Sequence, residues 1–492
     1  MLFDLRRQGY SRPGSFDVVI VGGGLAGLVI ARQLSSDGLS VAILESGGYD
    51  VEEREQALNE GTGILSGPDG RDIRIDSHLR ESRARALGGT GNLWGGKCSE
   101  LDTIDFETRH WIENSGWPIG AAELAVHLRE ACRVLEIPPF HAAGVFNVDP
   151  DRRPYEINGN RVFTTGFRRF TPIGGRATAD RWSRFKADAC TLPNVTIMLH
   201  ATVTRLVRLP GTDHITHVEV ASPQGGKLSI RGSVFILAAG GIENPRLLLL
   251  SEPETGGIGN AHGLVGRYFA GHAVWRSASL DPGAAFCLEL RARPEELGLY
   301  LDRSPGGLNG VWVLGGKAQR RDKLQGFSAA LERAPDGTCR VYIVGEQRPN
   351  PESRVTCPGE PDQLGLPRPH LEWRFTREDI ECLGRGLALF AAEAERSGLG
   401  RLVYDFDEKA VLQRAEAARH HMGTTRMHPS PERGVVDADC RVHGTENLFV
   451  AGASVFPTTG IANPTLTVIA LSLRLAAHVA RLRATSLEGR VA

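Results

Sequence analysis

The segment from Phe16 to Glu45 narrows the possible folds more than any other. Phe16-Asp17-Val18-Val19-Ile20-Val21 is a short β-branched run, which favours a strand. Gly22-Gly23-Gly24-Leu25-Ala26-Gly27 follows, and Leu28, Ala31 and Leu34 then recur at helical spacing. Ser40-Val41-Ala42-Ile43-Leu44 forms the next strand and ends in Glu45. Strand, glycine turn, helix, strand and terminal acid in that order predict a βαβ unit that binds a dinucleotide. Gly22 permits the tight turn, Gly24 lets the backbone approach a pyrophosphate, and Gly27 lets the helix pack on the strand. Leu25 and Ala26 stand at the helix start, where backbone amides face phosphate, and Glu45 meets a ribose hydroxyl. The motif leaves open whether the ligand is FAD or NAD.

A second strand, glycine turn and helix follow at Ser233 to Ala239, Gly240-Gly241-Ile242-Glu243-Asn244-Pro245-Arg246 and a leucine-rich run, read as a proline-led helix. Before it, runs at 195–199 and 202–207 and a turn at Gln224-Gly225-Gly226 predict a β-meander. Val203 there is a candidate for backbone contact to adenine. Leu87-Gly88-Gly89-Thr90-Gly91-Asn92-Leu93-Trp94-Gly95-Gly96 is too glycine-rich for a helix and too long for a turn. It is expected to lie flat against an extended ligand, with Gly88, Gly89 and Asn92 in contact and Trp94 walling an aromatic ring. Runs at 272–280, 286–291, 310–314, 339–344, 354–357 and 370–375 predict an antiparallel sheet with one face free to cover a pocket. Helical patterns at 121–135 and 380–396 flank these parts. The stretch 141–178 shows little periodicity and reads as a long loop over the site. Its Arg161, Arg168 and Arg169 read as a solvated basic loop, with contact to polar or anionic substrate groups as the alternative.

At 492 residues the chain exceeds what one hydrophobic core serves. The predicted class is α/β (α+β): a Rossmann-like dinucleotide-binding domain from 1–135, 186–270 and 411–492, a loop region at 136–185, and an inserted antiparallel sheet for substrate at 271–410. A net charge of -1 offers no footprint for nucleic acid or an anionic membrane. The eight cysteines are scattered, with no CxxC pair and no metal-ligand spacing, so no metal is expected and a reduced, cytoplasmic setting is. Arg6-Arg7 lacks the apolar region of an export signal. No segment is expected to span a bilayer, because Arg474 interrupts the C-terminal candidate.

The densest chemistry lies near the C-terminus. His420-His421-Met422-Gly423-Thr424-Thr425-Arg426-Met427 and Ile461-Ala462-Asn463-Pro464-Thr465-Leu466-Thr467 are read as the floor of one active site. Between them Asn447 to Val450 is strand-like and stops at Ala451-Gly452-Ala453-Ser454. Asn463 as N-cap and Pro464 at the first helical position start a helix whose Leu466, Ile469, Leu473 and Ala477 predict burial. Such a helix points unpaired amides at an electron-rich ligand.

Taken together these blocks resemble the glucose-methanol-choline family of flavin oxidoreductases. The resemblance runs through the unit at 16–45, LGGTGNLWGG at 87–96, SGWP at 115–118, LAAGGIENPRLLL at 237–249, VGRYFAGH at 265–272, PNPESRV at 349–355 and the signature from His420 to Thr467. HxxGTxRM followed by ANPTLT is most similar to the pyranose-oxidase and sugar-dehydrogenase branch. The resemblance implies FAD as cofactor, held also by Ala239, Gly452, Ala453, Asn463 and Thr465. It implies His420, three positions before Gly423, as the catalytic base and Asn463 as its hydrogen-bonding partner, with His421 the rival for the base. Members with covalent FAD carry a histidine where this chain has Leu93, so a dissociable FAD is expected.

The implied reaction is oxidation of a CH–OH group of a sugar, glycoside or polyol, in which histidine takes the hydroxyl proton as hydride leaves carbon. The alternatives are a non-sugar alcohol of secondary metabolism and a non-redox flavin lyase. The electron acceptor stays open among oxygen, quinone and protein, as does a homo-oligomeric state.

Overall fold

The run Phe16–Val21 is a strand with parallel neighbours on both sides, as a segment apolar on both faces requires. The computed structural model describes the whole chain except residues 8–13, 141–154, 156, 158–160, 174–178, 277–285, 302–306, 334–338, 405, 407–411, 413–415, 418 and 492. The largest sheet has eight strands in the order Leu2–Asp4, Val195–Leu199, Val41–Leu44, Phe16–Val21, Lys227–Leu237, Ile215–Ala221 and Thr202–Arg208, with Leu448–Val450 also paired to Lys227–Leu237. The first five and Leu448–Val450 run parallel. The last three form an antiparallel meander. Lys227–Leu237 serves both parts and changes partner at Gly232, where a Cβ would come 2.7 Å from Val19 Cγ2.

Three expectations for this region are corrected. Val195–Leu199 belongs to the parallel sheet rather than the meander, and its mostly buried residues are those of a strand covered on both faces. Pro245 lies inside the helix Gly240–Ser251 instead of leading it. Proline cannot donate to the Gly241 carbonyl four residues back, and Thr424 Oγ1 fills that place at 2.7 Å. The glycine-rich loop contains a 3₁₀ turn at Gly89–Leu93, made possible by Gly88 at φ +95.

The C-terminal helix Thr465–Val491 also differs from expectation. Its segment Thr465–Ala484 is long and apolar enough to cross a membrane, with a mean hydropathy of 1.4. It packs instead against the helices Leu25–Ser36 and Ala121–Val134, burying Leu466, Ile469, Leu475 and Val479. Arg474 sits at the edge of that packing and pairs with Glu123 and Asp439 at 2.8 and 2.9 Å.

A seven-stranded antiparallel sheet covers the other side of the molecule, in the order Glu416–Ala417, Ala273–Arg276, Cys339–Gly345, Phe327–Arg333, Leu308–Leu314, Phe163–Phe170 and Lys97–Cys98. Phe163–Phe170, expected as loop, is thus a strand. Phe327–Arg333 was not anticipated. The expected strand at 286–291 pairs elsewhere, with Gly400–Tyr404. Those at 354–357 and 370–375 join Thr62–Ser66 and Asp72–Arg74 in a third sheet. The rest of the expected loop at 141–178 and the end of the strand expected at 272–280 fall largely outside the described residues.

Alternation along the seven strands separates two faces. One carries Phe163, Trp312, Leu314, Phe327, Leu331 and Ile343, packed on Leu383, Leu387 and Phe390 of the helix Arg377–Arg396. The other carries Val311, Val313, Ala330, Tyr342 and Val344, against which Ile461 of the C-terminal loop packs. The second face therefore looks toward the segment that ends at Asn463. Arg168 is also on this face, opposite Asn309, and it is buried at 3% exposure, which overturns the solvated basic loop; Arg169 is buried too, while Arg161 is exposed.

Candidate active site

The parallel strands Phe16–Val21, Val41–Leu44, Lys227–Leu237 and Leu448–Val450 all point their C-terminal ends at one cavity of about 520 Å³. Open α/β sheets bind ligands at that edge. Its wall includes Gly22, Gly24, Leu25 and Ala26 from the first turn, Glu45 from the second strand, and Ala201, Thr202 and Val203 from the meander. Gly89, Leu93, Trp94 and Lys97 enter from the glycine-rich segment, Ala239 from the second turn, and Gly452, Ala453, Asn463, Pro464 and Thr465 from the C-terminal part. His420 and His421 complete it.

The donor set fits an extended dinucleotide. The helix Leu25–Ser36 has no side-chain cap and no acid in its first turn, so its free amides are available to phosphate. A Cβ at Gly240 or Gly452 would meet nothing within 4 Å, so each leaves backbone open to a ligand. Glu45 accepts the amides of Gly23 and Gly47, both at 2.8 Å, and its remaining lone pairs suit a hydroxyl. Burial raises its pKa, against the pull of those amides.

Two predicted contacts, Gly88 and Asn92, stand behind the wall rather than in it, and so does Gly27, in the packing role expected of it. A Cβ at Gly27 would lie 2.2 Å from the Gly22 carbonyl oxygen, so this glycine joins helix to strand. Gly88 backs onto Trp182, and Asn92 Nδ2 donates to the carbonyls of Leu87 and Gly89 while its Oδ1 accepts from Trp182. All three shape the turns that carry the lining residues. Arg83, Arg85 and Glu243 line the cavity without having been foreseen; Glu243 pairs with the two arginines at 2.6 and 3.2 Å.

The histidines are positioned by backbone pairing. Met422 and Ala270 exchange both amide hydrogen bonds at 3.0 Å, and the Gly266 amide donates to the Thr424 carbonyl at 2.9 Å. Two residues from the Ala270–Met422 pair, antiparallel register sets His272 opposite His420. Gly271 and Gly423 allow this approach: a Cβ would come 2.9 Å from the His420 carbonyl oxygen at the first and 2.2 Å from the Tyr268 carbonyl oxygen at the second.

Their ring nitrogens follow a single pattern. His272 Nε2 lies 2.9 Å from the Gly460 carbonyl oxygen, which can only accept, so Nε2 carries the proton. Burial pushes the His272 pKa down to about 4, so the ring is neutral and its Nδ1 is bare. That nitrogen lies 2.9 Å from His420 Nδ1 and accepts its proton. His420 Nε2 is left with a free lone pair. Burial, then His272, Lys97 and Arg168, hold the His420 pKa well below 6.5. His421 is differently occupied: its Nε2 meets Ser82 Oγ at 3.1 Å and His78 Nε2 at 3.2 Å. Asn463 donates its backbone amide to Ser99 Oγ at 2.9 Å and is one of the residues that line the cavity.

Beneath this layer Arg109 binds Glu346 at 2.8 and 2.6 Å, and Thr458 accepts from Trp117 Nε1 at 3.0 Å. These contacts support the turn ending at Gly460, whose carbonyl orients His272. No sequence signal singles out His272, since its pairing depends on a register between segments about 150 residues apart.

A parallel sheet with a dinucleotide cavity at its carboxyl edge, roofed by a second sheet and floored by histidines, defines a flavin-type oxidoreductase fold. The GMC oxidoreductase family matches residues 16–274 with its N-terminal part and 349–472 with its C-terminal part, and the chain belongs to that family. It is an FAD-dependent oxidoreductase acting on CH–OH donors. Among its relatives are the 6'''-hydroxyparomomycin C oxidase of Streptomyces lividus, 26% identical over 95% of this chain and 93% of that one. The 2-methyl-1,2-propanediol dehydrogenase of Mycolicibacterium austroafricanum is 24% identical over 94% and 95%. A solved single-substitution variant of the formate oxidase of Aspergillus oryzae RIB40 superposes with a TM-score of 0.63 at 18% identity, over 97% of this chain and 100% of that one.

Proposed function

We propose that the chain oxidises a ring or primary CH–OH of a sugar, glycoside or polyol, with His420 as the base. The observation that carries this reading is the hydrogen-bonded series Gly460, His272, His420, which leaves the His420 Nε2 lone pair as the free nitrogen of a ring lining the cavity. Bound FAD supplies the acceptor for the hydride. The chain supplies a place for the proton: His420 Nε2 takes it from the hydroxyl, so no positive charge builds on oxygen as the carbon is oxidised. The side-chain amide of Asn463 donates to the same oxygen and fixes its direction. Ile461, two residues before Asn463, packs on the apolar sheet face of Val311, Val313 and Val344, which steadies the loop that carries Asn463.

FAD is held without a histidyl bond in this reading, because Leu93 lines the cavity where a linking histidine would stand. Acid precipitation of the holoenzyme is expected to leave the yellow colour in the supernatant; a pellet that keeps it would contradict a dissociable cofactor.

Protonation of His420 removes the lone pair and stops the reaction. Burial, His272, Lys97 and Arg168 all oppose that protonation, so the neutral form persists below pH 6.5. The rate constant of flavin reduction is therefore expected to be flat downward through pH 6.5 and to decline only in more acid solution. A stopped-flow profile that halves near 6.5 would contradict it.

The reading as a whole is tested by adding sugars, glycosides and polyols to the oxidised enzyme under argon and watching the visible spectrum. Bleaching by one class names the donor, and recolouring in air separates an oxidase from a dehydrogenase that passes electrons to a quinone or protein. A flavin that no compound in the panel bleaches counts against the reading.

A further inference from the structure

Resting on that reading of the cavity, we propose that the molecule oxidised carries an anionic group, in the simplest case a carboxylate, held by Arg168 and Lys97 on the sheet side of the site. Strand register puts both cations on the sheet face that looks toward Ile461. Lys97 stands opposite Phe170 and Arg168 opposite Asn309, in line with Val311 and, across two further strands, Tyr342. The Tyr342 ring joins them: Lys97 Nζ is 5.0 Å and Arg168 Cζ 5.3 Å from its centroid, and Arg168 Nη1 donates to its hydroxyl. Lys97 lines the same cavity as His420 and Asn463.

The argument turns on charge balance. Arg83, Arg109 and Arg246 are buried, and each meets a carboxylate, from Glu243, Glu346 and Asp362 respectively, whereas Arg426, away from the cavity wall, is held by the Asn114 carbonyl and the Tyr268 ring. Arg168 is as deeply buried, yet among the described residues it meets the hydroxyl and ring of Tyr342 and no carboxylate. A guanidinium has five N–H donors, and one phenol oxygen satisfies one of them. Glu346 lies near enough to act on His272, but its charge is taken by the two-pronged contact with Arg109. A cation removed from water without a counter-charge is unfavourable unless a ligand brings that charge. A carboxylate on the substrate would do so, and would orient the carbinol toward His420 by anchoring the molecule at its other end. The anionic group takes no part in bond making; hydride and proton leave the CH–OH as before.

The test uses three probes of one ring scaffold: D-glucuronate, D-glucose and D-glucosamine. Each is titrated calorimetrically into the oxidised, FAD-loaded enzyme at one ionic strength. D-glucuronate is expected to bind at least about tenfold more tightly than D-glucose, with D-glucosamine weakest, and added salt is expected to narrow the gap. Lys97→Gln and Arg168→Gln should each remove most of the preference. Bound FAD reports folding, and Lys97→Gln, at the cavity wall, carries the test if Arg168→Gln fails to fold. Absent D-glucuronate binding, equal affinity for D-glucuronate and D-glucose, or a preference that survives the substitutions overturns the proposal. Anaerobic bleaching is read separately: D-glucuronate that binds with the predicted preference but is never oxidised supports the anion site and counts against carbinol oxidation. Oxidation of neutral sugars without any such preference does the reverse.

Discussion

Alanine in place of His420 is expected to give a yellow, FAD-loaded enzyme whose flavin is reduced by substrate about 10²–10⁴-fold more slowly, the span that a positioned general base contributes. The substitution removes the free nitrogen at the cavity and leaves the Ala270–Met422 backbone pairing intact, so cofactor binding should survive. His421→Ala is the control. Its ring is engaged by Ser82 and His78, and the loss there should stay within about tenfold, with a fall in melting temperature from the lost packing on Phe269. Anaerobic stopped-flow of both variants decides between the histidines. Near-normal reduction in His420→Ala with a collapse in His421→Ala would transfer the role to His421.

His272 is expected to act through His420 rather than on substrate, and two substitutions separate that role from a structural one. Leucine leaves the His420 Nδ1 proton without its acceptor and the Gly460 carbonyl without its donor. The His420 ring is then free to turn or to exchange its proton between nitrogens, and a base misplaced by about 1 Å loses on the order of 10² in rate. His272→Leu should therefore lower the limiting rate of flavin reduction about 10- to 100-fold. Glutamine can still donate from its amide nitrogen to Gly460 and accept with its oxygen from His420, so His272→Gln should recover most of that loss. A purely structural histidine would predict equal damage from both, read as melting temperature and FAD content, with an unchanged limiting rate in whatever protein folds.

What the sequence disclosed and what it withheld have separate physical causes. The unit from Phe16 to Glu45 and the strand and helix from Ser233 onward were legible because strand, turn and helix are contiguous and each is written in a local period. The start of the C-terminal helix after Asn463-Pro464 was legible for the same reason. Pairing between distant segments carries no local period. Nothing in 354–357 or 370–375 says that these strands join Thr62–Ser66 instead of the large antiparallel sheet. Phe163–Phe170 lacks clean alternation because Arg168 and Arg169 point to opposite faces and both are buried, an arrangement that reads as a polar loop until the surroundings are known. The bilayer-length apolar run of the C-terminal helix was misjudged on one arginine, which in fact sits at the margin of the core beside Glu123 and Asp439. His272 was hidden in the same way as the misplaced strands, since only register brings it to His420.

The pairing of 266–272 with 420–424 has a consequence for how such an enzyme diversifies. The ladder is built from amide and carbonyl groups, and its tight points are glycines, so the histidines are presented by backbone that does not depend on the neighbouring side chains. Val311, Val313, Tyr342 and Val344 belong to a different sheet, on the face that packs against Ile461, and take no part in that ladder. Substitutions on that face therefore leave the backbone pairing that presents His420 and His272 in place, so the sheet and the histidine layer can change independently of one another.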